Sequence, residues 1–151
     1  MFPMKILAAI DRSPYSEKVI EMVARISDED SAVLLINVAP REPDVLGQQL
    51  TRKVITDPVP EELQDRKALL DRSATVLGND GIKCETLLIR GDPAPAIIRE
   101  AKRWGAELVI MGSHGRGKLY QRLMGSISEA VLRSRLFPVL LIPKPKAGKK
   151  S

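Results

Sequence analysis

A single cysteine, Cys84, stands in a chain of 151 residues. It cannot close an intrachain disulfide or build a zinc cluster, so a stapled secreted scaffold is excluded and a reducing, cytoplasmic setting is expected. Aromatic residues make up 3%, and Phe2, Tyr15, Trp104, Tyr120 and Phe137 are scattered. The stacking platforms that single-stranded nucleic acid requires are therefore missing. The one histidine, His114, has no second histidine or paired carboxylate close in sequence. Neither a catalytic constellation nor a metal-ligating cluster can be assembled from its neighbours. Long hydrophobic runs are absent as well: the stretch over 6–10 is stopped by Asp11, whereas a membrane helix needs roughly twenty apolar residues. No membrane association and no targeting segment are expected.

The formal charge is +5, but the last eight residues hold Lys144, Lys146, Lys149 and Lys150 and no acid; removing those four lysines leaves +1. The basicity belongs mainly to a Pro/Gly/Lys tail over 144–151 with too few apolar groups to pack, and nucleic acid is not expected as a partner. The remainder is average in composition, with 44% hydrophobic and 28% charged residues. One globular domain over 1–143 accommodates it, of a size that buries roughly 68–70% of the extended chain's surface.

Short apolar runs alternate with segments of helical period, the pattern of parallel strands joined by crossover helices. Strands are expected over 4–10, 32–38, 82–89, 108–111 and 139–142. Val19, Ile20, Val23 and Ile26 form the stripe of a first helix, with Ser13 as its cap and Pro14 in its first turn. A second helix is expected over 61–77, ended by Gly78 and Asn79. A third is capped by Asp92, carries Ile97, Ile98, Ala101 and Trp104 on one face and stops at Gly105. A fourth follows Gly125 and Ser126, its end enforced by Pro138. The proline-rich stretch over 39–60 is expected to be a long surface connection, with one helical turn near Gln48. The architecture is then an open, doubly wound α/β sheet of five parallel strands with helices on both faces, and ligands are expected outside the carboxyl ends of the strands.

The stretch after the fourth strand carries the most chemistry: Gly112, Ser113, His114, Gly115, Arg116, Gly117 and Lys118, then Gly125, Ser126, Ile127 and Ser128. Glycines let a ligand approach the main chain, and the first N–H groups of a helix attract an anion. Ser126 and Ser128 add hydroxyls, and Arg116, Lys118 and Arg122 add positive potential. This describes a phosphate cradle, with a plain glycine-rich turn as the alternative. Familiar templates fail here. Leu119 stands where a P-loop needs Ser or Thr, Tyr120 where the dinucleotide fingerprint needs glycine, and Met111 where a nucleophile elbow needs glycine.

The spacing Gly112, two residues, Gly115, nine residues, Gly125, Ser126 resembles the nucleotide-binding signature of the universal stress protein family. The resemblance extends from 6–11 with Ser13, through Gly91, Asp92 and Pro93 and the segment over 106–115, to 138–142. It implies a five-stranded parallel sheet in the order 3-2-1-4-5. It also implies that Asp11 lies beside ribose and adenine, that Val38 lies against the adenine ring, and that Gly112, Gly115, Gly125 and Ser126 hold a triphosphate. Ala9, Ser13, Met111, His114, Arg116, Ile127 and Ser128 complete the implied nucleotide-binding set. Asp11 is equally placed to cap the following helix, and Val38 to be core. Family members commonly have glycine after the first-strand aspartate; here Arg12 follows it.

The expected function is an ATP-binding regulatory or stress-protective module with little or no turnover. The alternatives are a slow ATPase or phosphoryl-transfer enzyme, and an interaction protein for which nucleotide matters little. Magnesium is expected with the nucleotide, held through its phosphates and by Asp11. The resemblance implies a homodimer through Val139–Ile142, and Cys84 is expected to be a buried thiol.

Overall fold

A computed structural model describes residues 3–42, 52–113 and 124–143. The elements in chain order are β1 (Lys5–Ala9), α1 (Tyr15–Ile26), β2 (Ala32–Ala39), β3 (Lys53–Val54), a 3-10 turn (Glu61–Leu63), α2 (Gln64–Asn79), β4 (Lys83–Arg90), α3 (Pro93–Trp104), β5 (Leu108–Gly112), α4 (Ser126–Arg133) and β6 (Val139–Ile142). They build one sheet in the order β3-β4-β2-β1-β5-β6. The five expected strands are β1, β2, β4, β5 and β6, all parallel and in the expected relative order. No helix among the described residues is long and apolar enough to cross a membrane.

Alternation along each strand sorts the side chains onto two cores. Ile6, Ala8 and Ile10 of the first strand and its exit, with Val33 and Leu35 of β2, meet Val19 and Val23 of α1 and Leu70 and Leu77 of α2. Leu7, Leu34, Ile36, Val109 and Met111 face the opposite way, onto Ile97 and Ala101 of α3 and Val131 of α4. Both faces are thus covered, which is why the inner strands β1, β2 and β5 are almost wholly apolar, whereas β4 carries Lys83, Glu85, Thr86 and Arg90.

The stretch over 39–60 is not connection alone. Lys53–Val54 pairs antiparallel with the outer edge of β4, Lys53 opposite Arg90 and Val54 opposite Ile89, and the Ile55 N–H continues the pairing to the Leu88 carbonyl at 2.9 Å. The sheet therefore has six strands, the sixth closing a β4 edge that would otherwise leave its main-chain groups to solvent. The turn expected near Gln48 lies outside the described residues.

Other expectations shift for local reasons. The Asp92 side chain makes no capping bond and instead pairs with Arg41, although Asp92 does occupy the position before α3. Helix α2 runs through Gly78 and Asn79, and the chain turns at Gly81, whose φ of 77° suits glycine. Helix α4 ends at Arg133, well before Pro138, and the reversal is made by Arg135 at φ 58°. Cys84 is half-buried; burial and then the neighbouring Glu85 push its thiol up to about 11, which keeps it protonated and unreactive near neutrality.

A buried carboxylate ties the returning chain to α3. Glu100, 2% exposed, receives Arg52 Nε at 3.0 and 2.9 Å and Arg52 Nη2 at 2.9 Å, with Arg99 Nε at 3.1 Å. Burial pushes the Glu100 carboxyl up, but the bonds from Arg52 and Arg99 and their charges outweigh it and hold it below its ordinary value. A carboxyl lowered by folding stabilises fully above its unfolded pKa and loses that contribution as pH falls through the folded value. Glu100→Gln is expected to cost about 1–3 kcal/mol at neutral pH. Denaturant titrations stepped downward from about pH 5 should show a shallower acid loss in the variant than in the wild type. Equal slopes would contradict the ionised pair.

Candidate functional site

The carboxyl end of β1 sits at the point where the crossovers part: β1 leads through α1 to one face of the sheet, and β5 leads to α4 on the other. Main-chain groups there run out of ladder partners, and a crevice opens between the two exits. It is a cleft partly open to solvent.

Eight of the expected residues line it: Ala9, Asp11, Ser13, Val38, Met111, Gly112, Ile127 and Ser128. Gly125 and Ser126 do not line it but start α4 beside it, Gly125 buried and Ser126 exposed. His114, Gly115 and Arg116 lie outside the described residues, as do Lys118 and Arg122. Sequence reasoning missed Ile10, Tyr15, Ser16, Ile36, Pro93 and Ile97, which complete the wall. The strand pattern marks Ile10 and Ile36 as core, and nothing in the sequence distinguishes core from cleft wall. Ile97 was legible as the apolar face of α3 but not as a wall.

The β1–α1 turn is built from its own side chains. Asp11 Oδ1 accepts the Ser13 N–H at 2.7 Å, and Ser13 Oγ accepts the Tyr15 N–H at 3.3 Å. Neither Ser13 nor Asp11 caps α1, which begins at Tyr15 behind Pro14 without a side-chain cap; Asp11 braces the turn ahead of the helix with one oxygen, and Oδ2 accepts no hydrogen bond among the described residues. Arg12, exposed, reaches Asp65 at 3.5 Å on the far side of the turn from the cleft floor.

On the β5 side, the Ser113 carbonyl accepts both the Gly125 N–H at 2.5 Å and the Ser128 hydroxyl at 2.7 Å. The Ser128 hydroxyl lies 3.1 Å from the Gly125 carbonyl as well, so its proton is committed to main chain although the residue lines the cleft. The donors left at this end are the first-turn N–H groups of α4 and the Ser126 hydroxyl. Gly112 has a packing reason of its own. A Cβ there would meet Tyr15 Cγ at 2.7 Å and Tyr15 Cβ at 2.8 Å, so the buried ring needs a bare Cα beneath it.

The arrangement has one chemical character: apolar walls from Ala9, Ile36, Val38, Ile97, Met111 and Ile127, the Asp11 carboxylate, and the first turn of α4 represented by Ile127 and Ser128. It suits a flat apolar ring joined to hydroxyls and an anionic group. Among the described residues no three His, Cys, Asp or Glu side chains come together to hold a metal ion, so protein ligation from this cleft reduces to Asp11.

Gly112→Ala is expected to lower stability by about 1–3 kcal/mol, read in urea titrations, because the ring root cannot give way as a flexible side-chain end would. In a Tyr15→Gly background, which removes the Cβ together with the ring, the same change should cost markedly less. An undiminished cost there would mean that something other than the ring demands glycine.

The family model of the universal stress protein family matches residues 3–143. The chain is 31% identical over 147 residues to the universal stress protein YxiE of Bacillus subtilis, covering 91% of this chain and 97% of that protein. Among solved structures, protein MJ0577 of Methanocaldococcus jannaschii superposes with a TM-score of 0.75 at 25% identity, covering 95% of this chain and 98% of that one. Fold likeness extends to a universal stress protein in complex with cAMP (TM-score 0.68, 17% identity, 93% and 97% covered). It extends also to an Arabidopsis thaliana family protein with AMP bound (0.63, 20%, 98% and 98%) and to the Archaeoglobus fulgidus protein in complex with dAMP (0.66, 21%, 94% and 99%). With its family model matched from residue 3 to residue 143 and the fold shared along its length, the chain belongs to the universal stress protein family.

Proposed function

We propose that this chain is an ATP-binding regulatory or stress-protective module that responds to nucleotide with little or no turnover. One observation carries the reading: the cleft at the exits of β1 and β5 brings together apolar walls, the Asp11 carboxylate and the first turn of α4, the three kinds of group that a base, a sugar and a phosphate call for. The adenine nucleotides named in three neighbouring structures support the same ligand class.

In this reading the adenine ring lies against Val38, between Ala9 and Met111 below and Ile127 opposite. Asp11 accepts from the ribose, beside Ser13. Gly112, Gly125 and Ser126 admit the phosphates, with His114, Gly115 and Arg116 contributing from the adjoining loop. The contribution of Ser128 is its main-chain N–H, since its hydroxyl is spent on Ser113. Magnesium fits as an ion carried by phosphate oxygens, with the free oxygen of Asp11 as the one carboxylate ligand among the described residues of the cleft. The nucleotide domain is 1–143, and 144–151 is a basic appendage. Regulation rather than catalysis fits the donor set, because the one carboxylate lining the described part of the cleft, Asp11, is engaged by the ribose in this reading and is not placed to activate water at the phosphates.

Nucleotide-free protein titrated calorimetrically with ATP and magnesium should bind about one equivalent per chain, with negligible phosphate release over many half-lives of exchange. Val38→Asp, which sets a charge against the ring, should weaken binding by roughly tenfold or more. Absence of heat in the wild type would overturn the proposal, and phosphate release in single turnover would favour the slow ATPase.

Self-association belongs to the same reading. β6 pairs with β5 on one side, and its other edge is the end of the sheet, with Leu140 and Leu141 half-buried and Leu136 exposed nearby. An apolar edge of this kind pairs with its own copy about a twofold axis. Light scattering at several concentrations should return about twice the monomer mass; a monomer at every concentration would contradict the homodimer.

A further inference from the structure

We infer that Ser16 is the positioning residue for the Asp11 carboxylate, and that this clamp decides whether the cleft tells a ribose from a deoxyribose; the inference rests on the nucleotide reading above.

The observation is a complete accounting of main-chain groups at the exit of β1. The Ile10 N–H makes the last bond to β2, to the Ile36 carbonyl at 3.0 Å. The Ile10 carbonyl, which would next be unpartnered, accepts from Asn37 Nδ2 at 2.9 Å. The Asp11 N–H donates to Ser16 Oγ at 2.8 Å, and the Ser16 hydroxyl donates in turn to the Asp11 carbonyl at 2.5 Å. All four groups are satisfied, two of them by one hydroxyl. Ser16 is 6% exposed and Asn37 1% exposed, so water does not compete for these bonds. Asn37 is itself held, its Oδ1 accepting from Arg66 Nη1 at 3.0 Å.

The consequence reaches the carboxylate. With N–H and C=O of Asp11 both fastened to one atom, its main-chain torsions are set, and the Ser13 N–H then pins Oδ1 at 2.7 Å. The carboxylate is therefore held through Oδ1, which also lies 3.4 Å from Ser16 Oγ, and Oδ2 is the acceptor left over on a side chain that lines the cleft. An ionised carboxylate only accepts. A sugar hydroxyl satisfies it, whereas a sugar lacking that hydroxyl leaves a partly desolvated charge without a donor, the situation in which discrimination is largest. Without the Ser16 hydroxyl, two main-chain groups lose their partner, the turn relaxes, and the carboxylate is free to swing toward water. Base and phosphate contacts, made by other elements, are unaffected.

A residue that merely stabilises the fold would weaken every nucleotide in proportion, so the sugar ratio is the readout that separates the two roles. Calorimetry on the full chain with magnesium should use ATP, 2′-deoxy-ATP and 3′-deoxy-ATP against wild type, Ser16→Ala and Ser16→Thr. The wild type is expected to prefer ATP over at least one deoxy analogue by roughly tenfold. Ser16→Ala should reduce that ratio to about twofold or less by weakening ATP while leaving the deoxy analogue's affinity nearly unchanged, and Ser16→Thr, which keeps the hydroxyl, should retain it. Where the alanine variant does not fold, Ser16→Cys preserves volume with a weak donor and should show the same loss. Proportional weakening of all three ligands, or an unchanged ratio, would overturn the positioning role. Wild-type binding without sugar preference would overturn this inference alone, whereas no binding of any nucleotide would overturn the nucleotide reading and this inference with it.

Discussion

A sheet clothed by helices on both faces has to end its hydrogen bonding somewhere, and the main-chain groups stranded at the carboxyl ends of its strands are what the rest of this molecule is arranged around. At the β1 exit they are taken up by Asn37 and Ser16, and at the β5 exit the Ser113 carbonyl gathers Gly125 and Ser128. Buried polar groups without partners cost about 1–3 kcal/mol each, so these side chains are as necessary to the fold as the apolar cores. They also draw the two exits into fixed positions on either side of an opening. The cleft is what remains between two satisfied chain ends.

The same economy governs the outer edge. Arg90, at the end of β4, gives its guanidinium to the Pro40 carbonyl at 3.0 Å and to Glu62 at 2.9 Å, while Arg41 pairs with Asp92 at the entrance to α3. Arg52 then joins Glu100 one helical turn beyond Ile97. The Arg41 and Arg52 pairs fasten the stretches that leave β2 and lead into β3 onto the helix that walls the cleft. Exposed ion pairs of this sort add little individually, but the Arg52–Glu100 fork is bidentate and shielded on its carboxylate side, which makes it the member with structural consequence.

Much of this was legible in the residues. Parallel strands buried on both sides read as unbroken apolar runs, and the stripe of α1 and the face of α3 follow from helical spacing; the family resemblance added the strand order. Lys53–Val54 was not legible, since two residues carry no period and their pairing answers the need of β4 rather than any preference of their own. Asp92 has the form of a cap but is claimed by Arg41, a partner 51 positions away. Glu100 has the sequence look of a solvated helix face. At the site, Asp11 supports two readings; its Oδ1 braces the turn at Ser13 ahead of α1 and does not cap the helix, while Oδ2 remains for the other. Ser16 and Asn37 were invisible because their partners are main-chain atoms, whose shortage is a property of the assembled sheet. Ser128, at a helix start, has the sequence look of a ligand donor, but its proton goes to the Ser113 carbonyl.

The most direct measurement is a crystal structure grown with saturating ATP and magnesium. The account predicts density for the adenine against Val38, a sugar hydroxyl on the free oxygen of Asp11, and phosphates over the first turn of α4. A cleft left empty, or a nucleotide bound elsewhere on the chain, would contradict it.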